Sequence, residues 1–210
     1  LILNNDTEVP KNAVDSMLAG IRNNPEYGIL SPLLRYGDGT PQLNYGSDPG
    51  IFSEFFTKYF SKFYFSLLTR FAPGKMERDV HWISGACFII SARLFRELGG
   101  FDEKFFLYYE DADLGKRVRE KGLKNHISSA VRVTHFLGKS AGPVFSSLLP
   151  RIKWGHMYYY KKHNSLFSLK ALKTYLLLRF RFNRLAAKAA RNGQGVEILD
   201  KTIRAIREFK

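Results

Sequence analysis

With 210 residues, 45% of them hydrophobic and 25% charged, the chain has the composition of an ordinary globular protein and can bury one sizeable core, with room for an appendage. One cysteine, Cys87, excludes a disulfide framework and fits a reducing compartment. No run of uncharged apolar residues is long enough to span a bilayer, and no charged leader with a cleavage site is seen, but a net charge of +14 points to an anionic partner.

The chain opens on Leu1-Ile2-Leu3, a bare apolar strand without an initiator Met. A strand needs neighbours for its backbone groups, so a further N-terminal portion is expected upstream. The strand ends in the polar turn Asn4-Asn5-Asp6-Thr7. Pro10 suits the first turn of a helix, whose apolar face is Val14, Met17, Leu18 and Ile21, and Asn23-Asn24-Pro25 stops it. Residues 27–34 read as a strand and Gly37-Asp38-Gly39 as a turn. From Phe52 to Phe71 aromatic residues recur at helical spacing, which predicts an amphipathic helix that packs on the core or meets a membrane or lipid-linked substrate. Residues 80–90 read as a strand interrupted at Ser84-Gly85. Ser91 caps a short helix that Gly99-Gly100 ends. A helix then begins with Glu110, Asp111 and Asp113 and finishes with Arg117, Arg119 and Lys121, matching the helix dipole at both ends. A strand over residues 125–134 delivers His135.

Beyond Gly142 the character changes. Pro143 and Pro150 punctuate, residues 151–191 are basic, aromatic and helix-like, and Gly193 and Gly195 read as a break. Val196, Leu199, Ile203 and Ile206 form the stripe of a last amphipathic helix. Between Lys121 and Val196 there is no Asp or Glu, against 15 Lys and Arg. A solvated basic face is the plain reading; membrane headgroups, nucleic acid or a phosphate-bearing substrate are the alternatives.

Three polar clusters fall at element ends: Asn4-Asn5-Asp6 and His135 after strands, Glu110-Asp111 at a helix start. Ligands of open α/β sheets bind at the carboxyl ends of strands. Carboxylate with imidazole can hold a divalent cation, and a second carboxylate can take a proton from a hydroxyl. An Asp in a turn, acids at a helix start and a strand-end His also have ordinary structural uses, and spacing alone leaves the two readings open.

The segment Leu3-Asn4-Asn5-Asp6-Thr7 resembles the Asp-x-Asp metal motif of family 2 glycosyltransferases, in the variant of rhamnosyltransferase-like members. Trp82-Ile83-Ser84-Gly85-Ala86-Cys87 is similar to the acceptor-side strand. Gly99-Gly100-Phe101-Asp102-Glu103, then Phe106 through Leu114, resembles the catalytic segment. Val133-Thr134-His135 with Gly138 and Ser140 resembles the late His motif. Order and intervals agree over residues 1–142.

The resemblance implies an α/β GT-A fold, present in part: a Rossmann-like mixed sheet flanked by helices over residues 1–142, followed by a basic, mainly helical extension over 143–210. It implies an inverting transfer from a nucleoside-diphosphate sugar to a glycan or lipid-linked acceptor, with Mg²⁺ or Mn²⁺ as cofactor. Asp111 matches the catalytic base, and Asp6 and His135 the metal ligands. Asn4, Asn5 and Asp6 match the diphosphate-binding turn, Asn4 replacing the first Asp with a neutral amide. Trp82, Gly85, Glu110 and Asp113 match the acceptor side. The nucleotide-binding first half of the family is not part of these residues, so the fragment alone is expected to be inactive. The basic tail predicts a cytoplasmic protein peripheral to the inner membrane face, with Trp154, Tyr158, Tyr159 and Tyr160 at headgroup level; an oligomer is compatible with it. The rivals are a membrane-docking remnant without activity and a nucleic-acid binder, but no nucleic-acid motif appears.

Overall fold

The computed structural model describes residues 1–51, 77–136 and 146–210. The helix expected from Phe52 to Phe71, the residues Gly138, Ser140 and Pro143, and the boundary at 142 lie outside them. The chain divides into two compact units. The described part of the first is 1–48, 77–102 and 110–136; that of the second is 49–51, 103–109 and 146–210.

The first unit is mixed α/β. Its elements are β1 (Ile2–Leu3), β2 (Thr7–Glu8), α1 (Ala13–Asn23), β3 (Tyr27–Arg35), β4 (Pro41–Gln42), β5 (Tyr45–Gly46), β6 (Arg78–Val80), β7 (Trp82–Ile83), β8 (Cys87–Ile90), α2 (Ala92–Glu97), α3 (Glu110–Glu120) and β9 (Lys124–His135). The main sheet runs β1-β8-β3-β9-β2, with β4 on β3 and β6 on β9. Only β3 and β9 pair in parallel among the described strands, and α3 lies between β3 and β9 in the chain. β5 and β7 form a separate two-stranded piece.

The sheet carries an apolar cluster on each face. Successive residues point to opposite sides. Leu30, Leu34, Cys87, Ile89 and Val133 pack on one face with Ala13 and Met17 of α1. Ile29, Phe88, Ile90 and Ile127 pack on the other with Leu114 and Val118 of α3. This mixed sheet with flanking helices agrees with the expected GT-A-type fold.

Local chemistry sets the element ends. Ser91 Oγ accepts from the Leu94 N–H at 3.1 Å and caps α2. Gly99 and Gly100 end it with φ of 79° and 70°, conformations that cost little only for glycine. α1 starts at Ala13 rather than at Pro10, because Asn12 makes no side-chain cap and Pro10 O instead accepts from Ala13 N–H across a turn.

In the second unit, α4 (Leu149–His163), α5 (Leu166–Ala189) and α6 (Gly193–Glu208) pack together. The run 151–191, read as one basic helical stretch, is two helices, because Ser165 Oγ accepts from Ser168 N–H and starts α5. Gly193 and Gly195 lie inside the start of α6 rather than breaking a helix, because Asn192 Oδ1 accepts from Gly195 N–H at 2.8 Å and caps it. Two of the four aromatic residues of α4 face inward, and Trp154 and Tyr158 are half-buried. Tyr159 and Tyr160 are 1% and 7% exposed, Trp154 stacks on Tyr158 with centroids 5.3 Å apart, and Tyr160 Oη accepts from Ile51 N–H. The expected headgroup-level position of Trp154, Tyr158, Tyr159 and Tyr160 is therefore corrected for the tyrosines at 159 and 160, whose large apolar rings serve the unit's own core.

Candidate active site

Two strand pairings assemble the first half of the site. β2 pairs antiparallel with β9, setting Thr7 opposite His135, and Phe136 N–H donates to Asp6 O. This brings His135 Nε2 to 3.1 Å from Asp6 Oδ1, with the Asn4 amide nitrogen 3.4 Å from the same ring atom. Thr7 Oγ1 donates to Asn4 O at 2.7 Å and closes the turn. Asn5 is exposed in that turn.

The other ring nitrogen of His135, Nδ1, lies 3.0 Å from Gln42 Oε1. That oxygen is an acceptor only, so Nδ1 carries a proton. Nε2 then faces a carboxylate oxygen either as a bare lone pair or as the second N–H of an imidazolium. As an N–H it donates to Asp6 directly at 3.1 Å; as a lone pair it can accept from the Asn4 amide or share a cation with the carboxylate. Two neighbouring ligands of an octahedral ion, each about 2.1 Å from it, stand about 3 Å apart, which is the separation present here. Asp6 and His135 are thus placed where they could hold a divalent cation between them. Among the described residues no cluster of three or more His, Cys, Asp or Glu could hold one, so the protein offers two strong ligands here, not a full cage. Gln42 orients the imidazole, the service usually rendered to a metal-bound histidine.

The second half sits at the start of α3. Asp111 accepts from Ala112 N–H at 2.8 Å and from Gly85 N–H at 3.2 Å. Protein surrounds its carboxyl, and that burial pushes Asp111 above the ordinary carboxylate range, although the backbone donors pull the other way. The residue as a whole keeps some surface open. Burial first, and the neighbouring Asp111 charge second, push Glu110 up to about 7. Its Oε2 is buried without a hydrogen-bond partner. A Cβ added at Gly85 would meet open space, so the backbone beside Asp111 is not walled in.

The two halves hang from adjacent residues. Gly85 N–H donates to Asp111, while Ala86 O accepts from Asn4 N–H at 2.9 Å. The break between β7 and β8 that the sequence marks at Ser84-Gly85 is thus the bridge between them. It is braced from below: Ser84 N–H donates to Asn44 O at 2.7 Å, and Asn44 Nδ2 donates to Ser31 Oγ and Pro32 O.

Of the expected acceptor-side residues, Asp113 is turned away and Trp82 is partly committed. Asp113 is 0% exposed and ion-paired to Arg117 at 2.7 Å. Arg117 also donates to Leu98 O and Gly100 O, so Asp113 clamps α3 to the glycine turn and does not face an acceptor. Trp82 donates its indole N–H to Ser47 O at 2.7 Å, and its ring lies against Gly46, where a Cβ would come within 2.9 Å; one ring face is committed to that contact. Gln42 and Asn44 are the residues that sequence reasoning passed over. Neither belongs to a motif, and their partners are distant in the chain. Tyr108 and Tyr109, just ahead of Glu110, carry φ of 63° and 73°, a strained conformation for bulky residues of the sort found near functional sites.

No family model matches the chain. Over 153 residues, 68% of its length, it is 28% identical to the N-acetylglucosaminyl-diphospho-decaprenol L-rhamnosyltransferase of Mycobacterium tuberculosis, covering 48% of that protein. Over 135 residues, 64% of its length, it is 29% identical to the O-antigen biosynthesis protein RfbC of Myxococcus xanthus, covering 10% of it. Over 125 residues, 59% of its length, it is 28% identical to the low-salt glycan biosynthesis hexosyltransferase Agl10 of Haloferax volcanii, covering 37% of it. The chain spans about half the length of the mycobacterial enzyme and less of the other two. It is therefore similar to a portion of a glycosyltransferase, in agreement with the resemblance carried by its motifs.

Proposed function

We propose that this chain carries the acceptor and base side of an inverting glycosyltransferase. The full enzyme would move a hexosyl or rhamnosyl group from a nucleoside-diphosphate sugar to a glycan or lipid-linked acceptor of a cell-surface polysaccharide, at the cytoplasmic face of the membrane. The observation that carries this reading is the bridge at residues 85–86, which ties a carboxylate–imidazole pair on one side to a desolvated carboxylate on the other. Names of relatives lend support: one acts on a lipid-linked diphospho-sugar, one belongs to O-antigen synthesis and one is a hexosyltransferase of glycan synthesis.

In this reading Asp111 accepts the proton of the acceptor hydroxyl. Its raised proton affinity makes it a better base than a solvated carboxylate. The freed oxygen forms a bond to the anomeric carbon as the bond to the diphosphate oxygen breaks from the opposite side, so the configuration inverts and the electron pair leaves with the nucleoside diphosphate. Asp6 and His135 would hold Mg²⁺ or Mn²⁺, which when bound neutralises charge on the departing diphosphate. Asn4 and Asn5 offer neutral amides to the same phosphates. Glu110, half-buried beside Asp111 with its pKa pushed up to about 7, shapes the surroundings of the base.

The test is Asp111→Asn in the protein at its full native length, assayed with Mn²⁺ or Mg²⁺ and UDP-, dTDP- and GDP-sugars. Asparagine keeps the size but cannot take the proton, and its single oxygen keeps only one of the two backbone donors, Ala112 N–H on Oδ1 or Gly85 N–H on Oδ2. Loss of a general base costs roughly 10²–10⁴-fold, so kcat should fall by that much while the lost hydrogen bond costs only about 1 kcal/mol of stability. Turnover near the wild-type rate removes Asp111 from the role of base.

A further inference from the structure

The helix α5 has two apolar faces. Leu169, Leu172, Leu176 and Phe180 are buried in the helical unit. Phe167, Leu178, Phe182 and Leu185 are 81%, 61%, 72% and 62% exposed. On a helix turning about 100° per residue these four fall in one stripe, opposite the buried one. Lys170, Arg181 and Lys188, all exposed, run along one border of that stripe. The helix holds six Lys and Arg and no acid.

A soluble helix normally shows water its polar face; large apolar side chains set in a row on the outside mark a contact surface. Of the six cations of α5, Arg184 is paired with Asp200, but a second copy of the chain would bring Lys170, Arg181 and Lys188 against the same three cations, which like-charge repulsion opposes. Anionic headgroups match both features, giving charge to the basic border and acyl chains to the apolar stripe. No described helix is long and apolar enough to cross a membrane, so the fitting geometry is a helix lying in the plane of the interface.

We propose that the outer face of α5 is a membrane-docking surface for anionic phospholipid, with Phe167, Leu178, Phe182 and Leu185 entering the headgroup–acyl boundary and Lys170, Arg181 and Lys188 meeting phosphates. This rests on the membrane location in the proposed function and is independent of the transfer chemistry. It also moves the contact from Tyr159 and Tyr160 of α4, which the fold buries, to the exposed stripe of α5.

Flotation of the intact protein with phosphatidylcholine–phosphatidylglycerol vesicles and with pure phosphatidylcholine vesicles tests it. The wild type should float with the anionic vesicles only, and less at high salt. The combined variant Leu178→Gln, Phe182→Gln and Leu185→Gln should lose at least about a hundredfold in partition, since each large apolar side chain is worth on the order of tenfold. Its melting temperature should hold, because those side chains already face water. The variant Lys170→Gln, Arg181→Gln and Lys188→Gln should also lose roughly a hundredfold at low salt and most of its salt dependence. An apolar variant that floats like the wild type overturns the assignment of this face while leaving membrane binding intact. A wild type that floats with neither vesicle overturns the membrane location as well. A dimer seen by light scattering that the apolar variant dissolves, without vesicle binding, assigns the face to a second copy instead.

Discussion

The two units depart from the usual burial rule most strongly at different kinds of residue, although the helical unit also buries Lys153, His156 and Thr202. The sheet unit hides polar groups at its candidate site: His135, Gln42 and Asn44 are buried among strands, Asp113 is buried at the start of α3, and the carboxyl of Asp111 is enclosed. The helical unit shows apolar ones, with Phe167 and Phe182 standing in solvent. Burying a polar group costs stability unless it is paired, and exposing a large apolar side chain forgoes the gain of burying it. A fold selected for stability alone has no use for either. The sheet unit invests in groups whose chemistry depends on desolvation, and the helical unit keeps a surface whose affinity depends on remaining uncovered.

The largest way to break this contrast uses one helix. Leu176 and Leu178 are two residues apart on α5, one fully buried and the other exposed. Leu176→Ala should cost about 2–5 kcal/mol in a urea melt, by lost burial and a cavity. Leu178→Ala should stay within about 0.5 kcal/mol of wild type. Equal losses at the two sites mean that the outer face is covered in solution and the contrast between the units is false.

A smaller effect sharpens the other side of the comparison. If the polar groups under the sheet exist to set up His135, then Gln42 matters through the imidazole. Gln42→Leu fills similar space but leaves the Nδ1 proton without an acceptor, so the ring loses its fixed tautomer. Mn²⁺ affinity, read by calorimetry without substrate, should weaken by about 10–100-fold, as for other partners that orient a ligand. His135→Ala made on top of Gln42→Leu should then cost less affinity than the same change made in wild type. Unchanged Mn²⁺ affinity in Gln42→Leu reduces Gln42 to a packing residue.

These predictions fall where sequence and structure part. The chemistry-bearing ends of elements were legible, because each is local: acids opening α3 against the helix dipole, Ser91 capping α2, Gly99-Gly100 at positive φ, and an apolar strand running into Asn4-Asn5-Asp6. What was not legible is set by distance in the chain. Gln42 meets His135 across 93 residues, and Asp111 meets Gly85 across 26; no period or spacing announces such pairs. Asp113 shares the acidic helix start with Glu110 and Asp111, yet its side turns to Arg117, four residues on, and is consumed there. In the helical unit composition said basic and aromatic but not which face was which. Two of the four rings of α4 that looked like a membrane belt, Tyr159 and Tyr160, are core, while the exposed apolar stripe belongs to α5.

The smallest effect concerns Glu110, where the polar interior of the sheet unit should tell on stability itself. Burial and the charge of Asp111 raise its proton affinity in the folded chain, to a pKa of about 7 against 4.5 for the free group. Between those two values the folded state holds a proton that the unfolded state has released. Stability therefore falls as pH rises through that window, is fully retained below it and levels off above it. Residual solvent at this half-buried group screens the effect, leaving about 1 kcal/mol rather than the full value of the shift. Glu110→Gln keeps the shape and removes the titration. It should melt higher than wild type at pH 8, match it near pH 4.5, and flatten the decline between them, all measured by thermal melts across that range. A variant that retains the decline assigns the titration to another group and separates Glu110 from Asp111, leaving the base to work without a protonated neighbour.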